Sequence, residues 1–215
     1  MRLGVSAARL LCALAACVLA LQPAAAWSQA ASARAGVRQL RSTLPGELGA
    51  RHLSVLGLHV GNDRLEAVHG RIGEAVAFTP DSAPELLATC FVDAQDRSLA
   101  VMFQARRYDP QRRLTMAHIG SPARMETGAR RCQPREGLAE AASTASGIFL
   151  GMTREEFTAL FPYPPSERGA GLLGYYFFQP LDSGRCQLLS GVRAQFDGDG
   201  LTGLTVYRLY RGGGC

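Results

Sequence analysis

The chain has 215 residues, 47% hydrophobic and 19% charged, with a formal net charge of +5. So mild a charge argues against nucleic acid as a partner, and the apolar content supports a folded body. All 23 basic residues are Arg, which excludes Schiff-base and Lys-base chemistry.

Residues 1–26 read as a secretory signal. Arg2 and Arg9 form a positive n-region. Leu10 to Leu21 is apolar but falls short of the roughly 20 residues that a spanning helix needs. Ala24-Ala25-Ala26 meets the small-residue rule for cleavage before Trp27. A second reading uses Leu14-Ala15-Ala16-Cys17, which resembles a bacterial lipobox with Cys17 acylated. The apolar run continuing through Leu21 favours simple export. Loss of two arginines with the signal lowers the formal charge to +3. Residues 27–51, rich in Ala, Ser and Arg, read as a flexible arm.

Residues 52–132 read as a first folded unit. Leu58 and Val60 stand at strand spacing before Gly61. Asp63 is the expected N-cap of a short helix, with Glu66 completing a capping box. Leu65, Val68 and Ile72 recur at helical spacing, and Gly70 is the expected stop. The segment from Cys90 to Ile119 is strand material folded into a hairpin at Asp109-Pro110-Gln111.

Residues 133–144 read as a linker or short helix. Residues 145–215 then repeat the pattern. Gly61, Arg64 and Glu66 recur ninety positions later as Gly151, Arg154 and Glu156. Ile148 and Leu150 precede the glycine, Thr153 is the expected cap with Glu156, and Phe157, Leu160 and Phe161 follow at helical spacing. Pro162 stops the helix. Cys186 opens a second strand pair that turns at Asp197-Gly198-Asp199-Gly200. The expected fold class is α+β, with two tandem units, each a short helix or helices packed on a small antiparallel sheet.

Four cysteines follow the signal: Cys90, Cys132, Cys186 and Cys215. In an exported chain they imply two disulfides. Of the three possible connectivities, the repeat selects Cys90–Cys132 and Cys186–Cys215, because each staple then stays inside its own unit. No Cys-x-x-Cys pair is present.

The phrase Leu150-Gly151-Met152-Thr153-Arg154-Glu155-Glu156-Phe157 resembles the opening of the SmpA/OmlA (BamE-like) outer-membrane assembly lipoproteins. It is more similar still to the tandem-repeat secreted β-lactamase inhibitor proteins (BLIP-like). In both, a Gly-Met-Thr-like turn enters a short helix and a small sheet follows. In the inhibitors two such units join into one concave surface, and each unit carries a disulfide. The resemblance implies an exported binding module; it implies no particular target.

Motifs for chemistry are weak. Gly169-Ala170-Gly171-Leu172-Leu173-Gly174 matches G-x-G-x-x-G but precedes strand-like residues instead of a helix. Asp197-Gly198-Asp199-Gly200 lacks the later ligands of a calcium loop. His59 and His69 could meet across a turn, with no third ligand specified. No nucleophile elbow or zinc-helix motif occurs. The expectation is a chain that is not an enzyme and has no cofactor or metal.

Aromatic strands are the binding candidates. Alternate residues of Tyr175-Tyr176-Phe177-Phe178 point to opposite faces. Apolar neighbours predict Tyr176 and Phe178 inward, leaving Tyr175, Phe177, Tyr207 and Arg208 as the candidate binding face. The expected partner is an exported or envelope protein, with membrane contact only through a lipidated Cys17, in the periplasm or outside the cell. Two alternatives are an outer-membrane or envelope assembly lipoprotein tethered through Cys17, and a small periplasmic enzyme or ligand binder with a site between the units.

Overall fold

The computed structural model describes residues 48–125, 131–181 and 186–212. The signal, Cys17 and most of the expected arm lie outside the described residues, as does Cys215. Among the described residues the elements run in order: a 3-10 turn (Ala50–Leu53), β1 (Ser54–Val55), β2 (Leu58–His59), α1 (Leu65–Ile72), β3 (Leu86–Asp93), β4 (Ala100–Arg106) and β5 (Leu114–Gly120). A second 3-10 turn (Pro122–Arg124), β6 (Gln133–Arg135), α2 (Leu138–Ala141), α3 (Arg154–Ala159), β7 (Glu167–Gly169), β8 (Leu172–Leu181), β9 (Cys186–Asp197) and β10 (Gly200–Arg211) complete it.

The fold class is mainly β, which corrects the α+β expectation of two helix-on-sheet units. One continuous eight-stranded sheet runs β6-β3-β4-β5-β10-β9-β8-β7. The joint lies between β5 and β10, which pair antiparallel from Gly203↔Gly120 to Tyr207↔Met116. Kept apart, β5 and β10 would each expose a row of unpaired N–H and C=O groups. Pairing satisfies both edges at once. The helices have eight, four and six residues, too little to cover a sheet whose longest strands have twelve. Capping and stop signals mark where a helix exists, and here they enclose only one or two turns.

One face of the sheet carries the main core. Phe91, Val101, Phe103, Ala117 and Ile119 come from β3 to β5; Leu173, Tyr175, Val192, Ala194, Phe196, Leu204 and Val206 come from β8 to β10. Over them lie Leu53, Val55, Leu58, Val60, Leu65, Val68, Leu138, Ile148 and Phe157. Leu48, inside the segment read as an arm, is also buried in this core. A bulge between Leu201 and Gly203 resets the alternation of β10, so Leu201 and Leu204 both face inward.

The two helix entries dock alike. The Gly61 N–H donates to Leu114 O, and the Gly151 N–H to Leu201 O. Both glycines have positive φ, +99° and +87°. Each therefore turns its chain onto the strand that follows a hairpin. The caps differ. Thr153 and Glu156 form a reciprocal capping box: Thr153 Oγ1 accepts from Glu156 N at 3.2 Å, and Glu156 Oε2 accepts from Thr153 N at 2.7 Å. Asp63 is not a cap. Its carboxylate accepts the His59 N–H at 2.6 Å, and Arg64 occupies the N-cap position without a side-chain bond. The Leu65 N–H goes to Arg112 O, so the hairpin tip satisfies one amide of the first turn. Glu66 faces Arg112 at 3.4 Å instead of closing a box. Gly70 does not stop α1, which ends at Gly73 with φ +125°.

Both expected hairpins form: β4 with β5, and β9 with β10. Asp109 holds the first turn by accepting from the N–H groups of Gln111 and Arg113. The glycine-rich stretch at 169–174 is the β7–β8 hairpin, where Gly171 has φ +72°. Cys90 and Cys132 are bonded and buried. Cys186 is also disulfide-bonded; its assigned partner, Cys215, lies outside the described residues.

Candidate functional site

Among the described residues the second face of the sheet carries no α-helix, and its two ends differ. Over β3 and β4 it is sealed by a small cluster in which Ala88, Cys90, Val92, Ala100 and Met102 meet Met125 and Cys132, with Phe78 against them. Beyond that cluster, β5, β10, β9, β8 and β7 present side chains in register. One row crosses the sheet as Met102, His118, Thr205, Arg193, Gly174 and Glu167. The next reads Gln104, Met116, Tyr207, Gly191 and Tyr176.

The tyrosines define this surface. Tyr176 and Tyr207 lie with ring centroids 5.8 Å apart. A Cβ on Gly174 would strike the Tyr176 ring, and one on Gly191 would strike the Tyr207 ring. The two glycines therefore leave the room that the rings occupy over the sheet. The Tyr176 hydroxyl donates to Glu167 Oε2, which also meets Arg193 Nε at 3.3 Å. Burial, reinforced by the adjacent carboxylate, pushes the Tyr176 phenol above its ordinary range. Burial and then Tyr176 do the same to Tyr207. Both remain neutral donors at any physiological pH.

His118 sits in the same face. Its Nδ1 lies 2.9 Å from Thr205 Oγ1, and burial lowers its pKa to about 4. A small groove of about 100 Å³ runs over it, walled by Arg124, Arg193, Gln195, Thr202 and Thr205. Arg124 Nη1 donates to Thr202 Oγ1 at 2.8 Å, which fixes that wall. At neutral pH the groove holds two guanidinium groups and an uncharged imidazole.

Three of the four residues expected on a binding face are not on this one. Tyr175 is fully buried on the core face, stacked on Phe161 at 3.8 Å and tilted against Phe157 at 5.9 Å. Phe177 follows Tyr175 in alternation and is half-buried on the same side. Arg208 shares its side of β10 with Leu204 and Val206 and packs against Gly61. Tyr207 alone is on the helix-free face. The inversion has a physical cause. Phe157 and Phe161 of the α3 region form an aromatic slot that selects Tyr175, and a two-residue period then sends Tyr176 the other way. The readable signal was glycine: Gly174 stands in phase with Tyr176, where a ring needs room. Glu167, Arg193 and His118 carried no sequence signal, since only strand pairing brings them into line.

His59 and His69 do not line the groove over His118. Among the described residues no cluster of three or more His, Cys, Asp or Glu could hold a metal ion. Comparison with protein-family models, curated proteins and solved structures gave no match.

Proposed function

We propose that this chain is an exported, non-enzymatic module that binds a partner protein through the helix-free face of its sheet. The observation that carries the reading is the stripe across β5, β10 and β9. Met116, His118, Thr205 and Tyr207 are half-buried there and Arg193 is exposed. Aromatic residues, Met and Arg are the types enriched at protein interfaces. These side chains stand on paired strands, and Tyr207 and Arg193 are braced by Tyr176 and Glu167. A surface ordered in advance loses little freedom on binding.

Charge supports one kind of occupant. Arg124 and Arg193 stand against the single carboxylate of Glu167, so a partner segment bearing Asp or Glu suits the groove. A buried disulfide is compatible with an oxidising, exported location. No helix among the described residues is long and apolar enough to cross a membrane. The resemblance of the Gly151-Met152-Thr153 turn to the secreted inhibitor proteins points the same way.

The test is affinity capture from a periplasmic fraction with three baits: the natural protein, a Tyr207→Ala/Arg193→Ala variant, and a Phe149→Ala control. Phe149 is exposed and does not line the groove over His118. The reading requires a protein retained by the natural and control baits and lost from the double variant. Equal retention by all three baits contradicts it.

A further inference from the structure

On the covered side of the molecule, α1, α2, β6 and the β1–β2 turn line an open cavity of about 410 Å³. That volume lies within the range of about 300–1,000 Å³ typical of small-molecule sites. Its wall contains Arg71 from the last turn of α1 and Arg135 from β6. Gly57, Glu136, Ser143 and Thr144 also line it.

Both guanidinium groups are positioned by backbone. Arg71 Nε donates to Leu56 O at 3.3 Å, and Arg135 Nη2 donates to Glu74 O at 3.1 Å. Each also lies across a glycine of positive φ. A Cβ on Gly57 would come within 2.9 Å of the Arg71 guanidinium, and a Cβ on Gly73 would overlap that of Arg135. Among the described residues neither arginine forms an ion pair. Arg135 Nε is buried with no hydrogen-bond partner, an uncommon condition for a charged group. Thr144 is already engaged: its hydroxyl bonds Ser146 and accepts the Ile148 N–H. Glu136, on the same wall, leaves the cavity with two positive charges against one negative.

We infer that this cavity binds a small organic anion, held through its carboxylate or phosphate group between Arg71 and Arg135. Planar guanidinium forks match both oxyanions and hold them by charge-assisted hydrogen bonds. The carbonyls of Leu56 and Glu74 hold the forks before the ligand arrives. The site lies among the elements that cover the core face, so it is separate from the helix-free face.

The experiment titrates the full-length protein with inorganic phosphate and, separately, with succinate at constant ionic strength, with sodium chloride as the control. Two readouts are followed: the thermal midpoint and the Arg Nε–Hε resonances of ¹⁵N-labelled protein. The inference requires a saturable rise in midpoint with at least one of the two anions. It also requires saturable shifts at Arg71 and Arg135, and at least a tenfold loss of affinity in R71Q and in R135Q. The anion with the lower Kd assigns the ligand class. Non-saturating shifts matching those in chloride, or saturation confined to other arginines, would overturn it. The resonances are those of the natural sequence, so they decide between these outcomes even if a variant fails to fold. Partner capture on the helix-free face bears on neither outcome.

Discussion

At the scale of single residues, His118 and Thr153 make the sharpest commitments. Burial holds His118 neutral, with its pKa lowered from 6.5 to about 4. The unfolded chain therefore takes up this proton first as pH falls. The contribution is fully present above about pH 6.5 and declines toward pH 4, by about 3 kcal/mol if the shift is realised in full. His52, also lowered by burial, acts in the same direction. Asp93 and Glu156 are lowered chiefly by backbone hydrogen bonds, so their contributions are lost at more acid pH. Stability measured by denaturant at pH 7 and pH 5 should fall between the two values in the natural protein. The fall should be much smaller in His118→Gln; an unchanged slope would mean that His118 is not held neutral. For Thr153, removal of the capping hydroxyl by Thr153→Ala should cost about 1 kcal/mol. Asp63→Ala removes no helix cap, and its effect should come through the His59 N–H that it accepts. The capping-box pattern was legible at both sites. Only at Thr153 is the side chain left to cap the first turn, because the Asp63 carboxylate is taken by the His59 N–H.

Among the elements, β8, β9 and β10 show what a period of two can and cannot reveal. Their existence and the β9–β10 turn were readable from apolar alternation and from Asp-Gly turn chemistry. Their facing was not, because Tyr175-Tyr176-Phe177-Phe178 is apolar on both sides and the decisive partner, Phe161, belongs to a distant segment. Gly174 and Gly191 give an element-scale test. Gly191→Ala should destabilise by about 1–3 kcal/mol through overpacking against the Tyr207 ring. In a Tyr207→Ala background the same change should cost much less, so a double-mutant cycle reads the contact directly. Additive effects would place the ring elsewhere. The Cys90–Cys132 staple closes a separation of 42 residues. Replacing both cysteines by Ala should lower stability by about 4 kcal/mol in the chain-entropy model, whose mechanism is disputed. A negligible change would show that the small Ala88–Met102–Met125 cluster holds β3, β4 and the second 3-10 turn together by itself.

For the molecule as a whole, the pairing of β5 with β10 makes one sheet, one continuous core and one broad helix-free face. Local patterns pointed to a strand series written twice, and the hairpins follow from them. The long-range joint did not follow, since edge pairing depends on which unsatisfied backbone edges meet and leaves no spacing to read. With the joint in place, Met116, His118, Thr205, Tyr207 and Arg193 fall side by side, and Tyr175 becomes a core residue. The most direct test of this arrangement compares Tyr207→Ala, Arg193→Ala and Tyr175→Ala, measuring denaturation midpoint and affinity for the captured partner in each. Arg193→Ala should leave the midpoint nearly unchanged, because its ion pair with Glu167 is half-exposed. It and Tyr207→Ala should weaken binding, Tyr207→Ala by about 30-fold if the ring is a hot spot of 2 kcal/mol. Tyr175→Ala should cost about 3–5 kcal/mol of stability and leave the affinity of the folded fraction intact. Binding that survives Tyr207→Ala and Arg193→Ala unchanged would contradict a role for the helix-free face.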